Sequence, residues 1–391
     1  MPLKIHKEMN ENFDDIRSFR DEEISAKVAE LSEIKQFMNL LATVFPLYPK
    51  NVLKERFAAI KTVAEFQREW DYPFLSSLEA TKTHGVQLAG TERLSWHAPY
   101  LFISNHRDII LDAAFLNIKL IENQQDTTEI AIGDNLLIFD WIKDLVRINK
   151  SFIVHRSLNI RELLESSRHL SAYIRQNLTQ RGQSVWLAQR EGRAKNSDDR
   201  TQESVLKMLN MSGKGDFISN LKELNICPLA ISYEYDPCDY LKARELQQRR
   251  DNPDFRKQPQ NDLQSMVTGV MGYKGKVVYR LAGTIDCELA EIAARKLTKN
   301  EQITAIAQVI DNQIFKNYEI YEINKIAYDL LTKEKRFESD YSLTQKLDFE
   351  RYMQLQINKT ELTEKDNNFL RQKILEMYAN PLINRLKAEK S

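Results

Sequence analysis

Apolar positions along the chain change their period twice. Ile24, Val28, Leu31, Met38 and Leu41 fall at helical spacing, and this stripe predicts a helix that the Pro-containing segment 45–49 ends. Leu53, Phe57, Ile60 and Ala64 form a second stripe, which predicts a helix from about Val52 to Trp70. The middle of the chain reads differently. Short apolar runs at 99–105, 129–133, 151–155, 184–188, 227–233 and 275–283 have the length and residue types of buried strands. Between two of them Ile160, Leu163, Leu170, Ile174 and Leu178 mark an amphipathic helix, and a polar stretch at 251–264 reads as a loop. Strands alternating with helices predict an α/β layer: a mixed, mainly parallel sheet with covering helices. After about Leu297 the pattern is helical again. Thr298 with Glu301 predicts a capping box ahead of Ile303, Ile306, Ile310 and Ile314, and Thr363 with Asp366 predicts the start of the last helix. The expected organisation is an N-terminal helical region at 1–85, the α/β domain at 86–290 and a C-terminal helical region at 291–391.

Composition narrows the function classes. Lys+Arg and Asp+Glu both total 56. A chain of zero formal net charge carries no global nucleic-acid footprint, so any anion site must be local. Cys227, Cys238 and Cys287 have no zinc-finger spacing, and so sparse a set fits a reducing compartment. The first residues lack the apolar core of a signal peptide, and no run approaches the ~20 apolar residues needed to span a bilayer. The expected location is the cytoplasm, with any lipid met from the membrane surface. Phosphate loops of the GxxxxGK[ST] type, HExxH metal spacing and the GxSxG nucleophile turn are all missing from the sequence.

Four blocks carry candidate chemistry. Of the histidines at 6, 84, 97, 106, 155 and 169, His106 stands out, because it follows the apolar run LFIS and precedes the apolar pattern IILDAAFL. That puts it at the carboxyl end of a strand and the opening of a helix, where open α/β sheets bind ligands. Asp108 and Asp112 are close enough to orient its ring and stabilise a protonated form. Local features alone fit an incidental histidine at a helix start better than a catalytic one. Arg156 stands just past the strand at 151–155, with a planar fork that suits phosphate. Residues 189–195, QREGRAK, follow another strand and combine a permissive Gly192 with Arg190, Arg193 and Lys195, and with Glu191, which can orient them. The fourth block, 226–234, places Pro228 in an apolar run that ends at Glu234.

In this order the blocks resemble the four motifs of the glycerophospholipid acyltransferase superfamily. SNHRDIILD is similar to the His–Asp block, SFIVHR to the second, WLAQREGR to the Glu-Gly block and CPLAISYE to the proline-containing fourth. Two departures stand out. The family usually has four residues between His and Asp, but Leu111 occupies that place here; Asp112 lies one residue further on, and Asp108 is the alternative carboxylate. The third block usually reads Glu-Gly-any-Arg, whereas Arg193 follows Gly192 directly, which leaves the arginine's task to Arg193 or Lys195.

The resemblance implies an enzyme in which His106 is the general base and Asp112 its partner. Arg156 with Glu191, Gly192, Arg193 and Lys195 would bind an acceptor phosphate. The expected reaction moves an acyl group from acyl carrier protein or coenzyme A to 1-acylglycerol-3-phosphate at a membrane surface, with no metal or bound cofactor. Glycerol-3-phosphate or an aminolipid hydroxyl are alternative acceptors. Thioester hydrolysis and non-catalytic lipid binding are the alternative activities.

Overall fold

Alternation along the central strands decides the architecture. In the computed structural model, which describes residues 12–156 and 158–390, seven strands form one sheet. They are β1 (Val86–Ala89), β2 (Leu101–Ser104), β3 (Glu129–Gly133), β4 (Ser151–Val154), β5 (Val185–Ala188), β6 (Ile226–Tyr233) and β7 (Val277–Leu281). Their order is β1-β7-β6-β2-β5-β3-β4. Every pairing is parallel except β6 with β7. The fold is therefore α/β with a mixed, mainly parallel sheet. His6 and Ser157 lie outside the described residues.

Successive side chains of a strand point to opposite faces. Leu101, Ile103, Val185, Leu187 and Ala230 enter one core, while Phe102, Trp186, Leu229 and Ile231 enter the other. The first core is closed by helices that include Ile160–Thr179 and Lys299–Lys316, the second by Tyr72–Lys82 and Leu111–Glu122. Leu101, Phe102 and Ile103 are all fully buried, each contributing roughly 1.5–3 kcal/mol of transfer free energy.

Parallel pairing has a consequence for chemistry. Because β2, β3, β4, β5 and β6 run the same way, the residues that follow each of them meet at one edge of the sheet. That edge gathers His106, Gly133, Arg156 and the turn at 189–195.

Several sequence expectations need correction. The edge strand β1 was not foreseen. The single helix expected through Ile24–Leu41 is two, Asp21–Ser32 and Lys35–Val44. The helix expected from Val52 to Trp70 breaks after Lys50–Ala58, and a new one starts at Val63, where the Thr62 side chain accepts from the Glu65 amide at 3.1 Å. It widens into a π-helical turn, Gln67–Asp71, which ends two residues before Pro73. A proline lacks the N–H an α-helix needs and crowds the carbonyl one turn back, which accounts for the wider turn at that point.

The polar loop is shorter than expected, since Pro259 starts a helix, Pro259–Met271. The stripe on Ile160–Thr179 turns inward only from Leu170, leaving Ile160 89% exposed. The Thr298–Glu301 capping box forms. Asp366 is itself the cap of the last helix, accepting from the Phe369 amide at 3.0 Å, so that helix starts at Asn367.

Candidate active site

The site grows from the end of β2. Asn105 fixes the chain there: its side-chain amide donates to the Ile231 carbonyl at 2.9 Å and accepts from the Ile231 amide at 2.8 Å. This two-point tie to β6 had no counterpart in the sequence reading. His106 follows, its ring edge-on to Trp186 with centroids 5.7 Å apart. Trp186 is held in turn by its indole N–H, which donates to Ser104 Oγ at 3.0 Å.

His106 Nδ1 lies 2.8 Å from Asp112 Oδ2. The same oxygen accepts from the Arg107 amide at 2.6 Å and the Asp108 amide at 3.1 Å. The chain thus wraps its own N–H groups around the carboxylate, and this is how five intervening residues still bring His and Asp together. Asp112 is fully buried. A carboxylate accepting at Nδ1 assigns the ring proton to that nitrogen and leaves the Nε2 lone pair for a substrate. Such a pair can take a proton from an alcohol and carry the resulting positive charge.

Asp108 faces elsewhere. Its Oδ1 caps the helix Leu111–Glu122, accepting from the Ile110 and Leu111 amides at 2.9 and 2.8 Å. Burial, reinforced by the Asp112 carboxylate, raises its carboxyl above the usual range. The helix Pro259–Met271 packs on it through Gly269, where a Cβ would collide with Asp108 Oδ2.

Beneath the loop, Arg107 reaches inward to Asp199, 3.1 Å away, and its carbonyl accepts from buried Lys242 at 3.2 Å. Lys242 also pairs with Asp236. These charged groups hold the loop's backbone from below, and sequence reasoning missed them because they come from distant elements.

Arg156 sits beyond β4. Its amide donates to Asp134 Oδ1 at 3.3 Å, and Asp134 Oδ2 lies 3.1 Å from His155 Nδ1. The guanidinium crosses Gly133, where a Cβ would come within 2.6 Å of Arg156 Nε, so the close approach requires glycine. Glu191 is 3.9 Å from Arg156 Nη1 and 69% exposed, a distance and setting that make the pair weak.

The turn after β5 divides its residues. Gly192, at φ +67°, and Arg190 face the same cavity as His106 and Arg156. Arg193 and Lys195 are not brought to it. Arg193 is buried near Cys238, Asp108 and Asp236, and Lys195 pairs with Glu245 at 3.0 Å. Burial pushes the Lys195 ammonium down to about 8.

The cavity has a volume of about 400 Å³ and apolar walls. From His106 and Arg156 it runs past Ile110 and Ala113 to Phe37, Phe57 and Trp70 in the N-terminal helical region.

Residues 85–232 match a family model described as Acyltransferase. Among solved structures, the chain is similar to the 1-acyl-sn-glycerophosphate (LPA) acyltransferase PlsC of Thermotoga maritima, at 11% identity and a TM-score of 0.39, over 74% of this chain and 94% of that one. No curated protein matches the chain.

Proposed function

We propose, on the premise that residues 85–232 are a domain of the acyltransferase family, that the chain moves a fatty acyl group from a thioester to the free hydroxyl of 1-acylglycerol-3-phosphate. The observation that carries this reading is the His106–Asp112 pair standing at an apolar cavity that also bears two arginines. His106 Nε2 takes the proton of the acceptor hydroxyl. The oxygen attacks the thioester carbonyl, the C–O bond forms, the C–S bond breaks, and the leaving thiolate receives the proton from His106. Asp112 stabilises the imidazolium between the two transfers. Acyl carrier protein or coenzyme A is the thioester's carrier, and the steps use no metal or bound cofactor. The apolar cavity takes the acyl chain.

Arg156 reads the acceptor's phosphate, with Arg190 beside it. Glu191 and Gly192 shape the turn that carries Arg190, while Arg193 and Lys195 brace it from inside. An arginine fork gives phosphate two parallel charge-assisted hydrogen bonds, where lysine offers a point charge. Arg156→Lys is therefore expected to raise the acceptor KM more than the donor KM, measured by steady-state kinetics with each substrate varied. Equal activity on a phosphate-free lysolipid would remove this role. Efficient acylation of glycerol-3-phosphate with little transfer to the lysolipid would reassign the acceptor.

Among the described residues no helix is long and apolar enough to cross a membrane. The helix Lys35–Val44 supplies Leu40 and Val44 to the cavity wall, and Leu47 just beyond it is 91% exposed. A segment that both walls the cavity and exposes apolar side chains suits entry of lipid from a surface. Alkaline carbonate or high salt is expected to release the protein from membranes, read by sedimentation. Retention in the pellet after carbonate would contradict peripheral attachment.

A further inference from the structure

A carboxyl group stands in the apolar cavity without a partner. Asp71, the last residue of the π-helical turn, is among its lining residues, as are Asn149 and Ser151. Among the described residues no hydrogen bond or ion pair meets the Asp71 carboxyl, and no charged group shifts its proton affinity; burial alone raises it, to about 8. The residue keeps some accessible surface and is one of the cavity's lining residues. An unpaired polar group in such a place is costly unless something bound there satisfies it.

The position is deep. Gln67, which opens the same turn, donates to Asn149 at 2.8 Å and accepts from Thr127 at 2.8 Å. These bonds tie the turn to the amino-terminal ends of β3 and β4. Ile130 and Ser151 are register partners there, three residues and ~10 Å along the strands from Gly133, where Arg156 sits. A chain entering beside His106 and Arg156 and running toward the amino-terminal ends of β3 and β4 approaches the turn that carries Asp71 with its distal carbons, away from its thioester.

We propose that Asp71 reads a hydroxyl carried in the distal half of the acyl chain, so that the cavity selects hydroxylated fatty acyl groups. The proposal rests on the reading of the cavity as an acyl site. A carboxyl that is mostly protonated at neutral pH both donates and accepts, and a hydroxyl does the same, so one group satisfies the other completely. A cationic chain terminus is a poorer match, since it must bring its charge between apolar walls.

Trp70, Trp141 and Trp186 line the cavity, so binding can be followed by tryptophan fluorescence without any turnover. The full chain is titrated with palmitate and with palmitates bearing one hydroxyl at successive distal carbons. One isomer is expected to bind about tenfold more tightly than palmitate. Asp71→Leu is expected to abolish or reverse the preference, and Asp71→Asn, which still donates and accepts, to keep it. Equal binding of palmitate and every isomer to the unaltered protein would overturn the proposal, as would a preference that survives in Asp71→Leu. Because the readout is binding, failure of acyl transfer in every assay would sink the proposed reaction while a hydroxyl preference lost in Asp71→Leu still upheld this one.

Discussion

Replacing His106 with alanine is expected to lower acyl transfer by ~10²–10⁴-fold while the protein stays folded. The size follows from the role: without a base on the acceptor hydroxyl, the attacking oxygen keeps its proton. Retention of the fold follows from position. The imidazole sits at the cavity mouth, its contacts being the Asp112 carboxylate and the edge of Trp186. Asp112 keeps the two backbone amides of Arg107 and Asp108 when the ring is gone, so its burial remains compensated. Initial rates of ester formation and a thermal melt check both halves. A variant that keeps more than about a tenth of the rate would exclude the general-base role.

The second large effect separates two aspartates. Asp112→Asn is expected to cost most of the activity, and Asp108→Asn far less. Asp112 supplies the negative charge behind the ring, and a carboxamide of the same shape cannot stabilise an imidazolium. Its single acceptor oxygen must also serve three donors that now converge on Oδ2, and a flipped amide would point N–H at N–H. Asp108 works through Oδ1, which accepts from the Ile110 and Leu111 amides, and an asparagine oxygen does the same. Paired rate measurements on the two variants decide the matter. The opposite order would make Asp108 the partner of His106.

Much of the α/β layer could be read from the chain because its strands are buried on both faces, and such strands appear as uninterrupted apolar runs. Val86–Ala89 escaped for the same reason in reverse: it is short, it lies at the sheet edge, and Gln87 breaks its run. The division of the first helical stripe at Glu33–Ile34 was hidden because no Gly or Pro marks it. The second break did carry a mark, Thr62 three residues before Glu65, which the apolar periodicity outweighed.

In the site, His106 stood out by its neighbours, but the choice of Asp112 over Asp108 rested on resemblance. What brings Asp112 to the ring is the curl of two backbone amides, and no residue-type pattern encodes that. Arg193 and Lys195 were expected at the acceptor phosphate, because a basic turn after a strand gives no sign of which of its charges the fold turns inward. Glu245, the partner of Lys195, and Cys238 and Asp236, which Arg193 is buried near, come from a segment roughly 40–50 residues later in the chain, and only the fold brings them near. Asp71 was illegible because its setting comes from the walls of the cavity and not from its neighbours in the chain. In REWDYPF it reads as one more charge on a polar helix face.

The central claim is the formation of an ester. The purified chain, given labelled acyl carrier protein and coenzyme A thioesters with 1-acylglycerol-3-phosphate, glycerol-3-phosphate and a phosphate-free lysolipid as acceptors, is expected to produce labelled 1,2-diacylglycerol-3-phosphate, and His106→Ala is expected to produce almost none. Release of free fatty acid in place of ester would make the protein a thioesterase, and consumption of no thioester at all, under conditions where the chain still binds fatty acid, would make it a lipid-binding protein; either result would contradict the account.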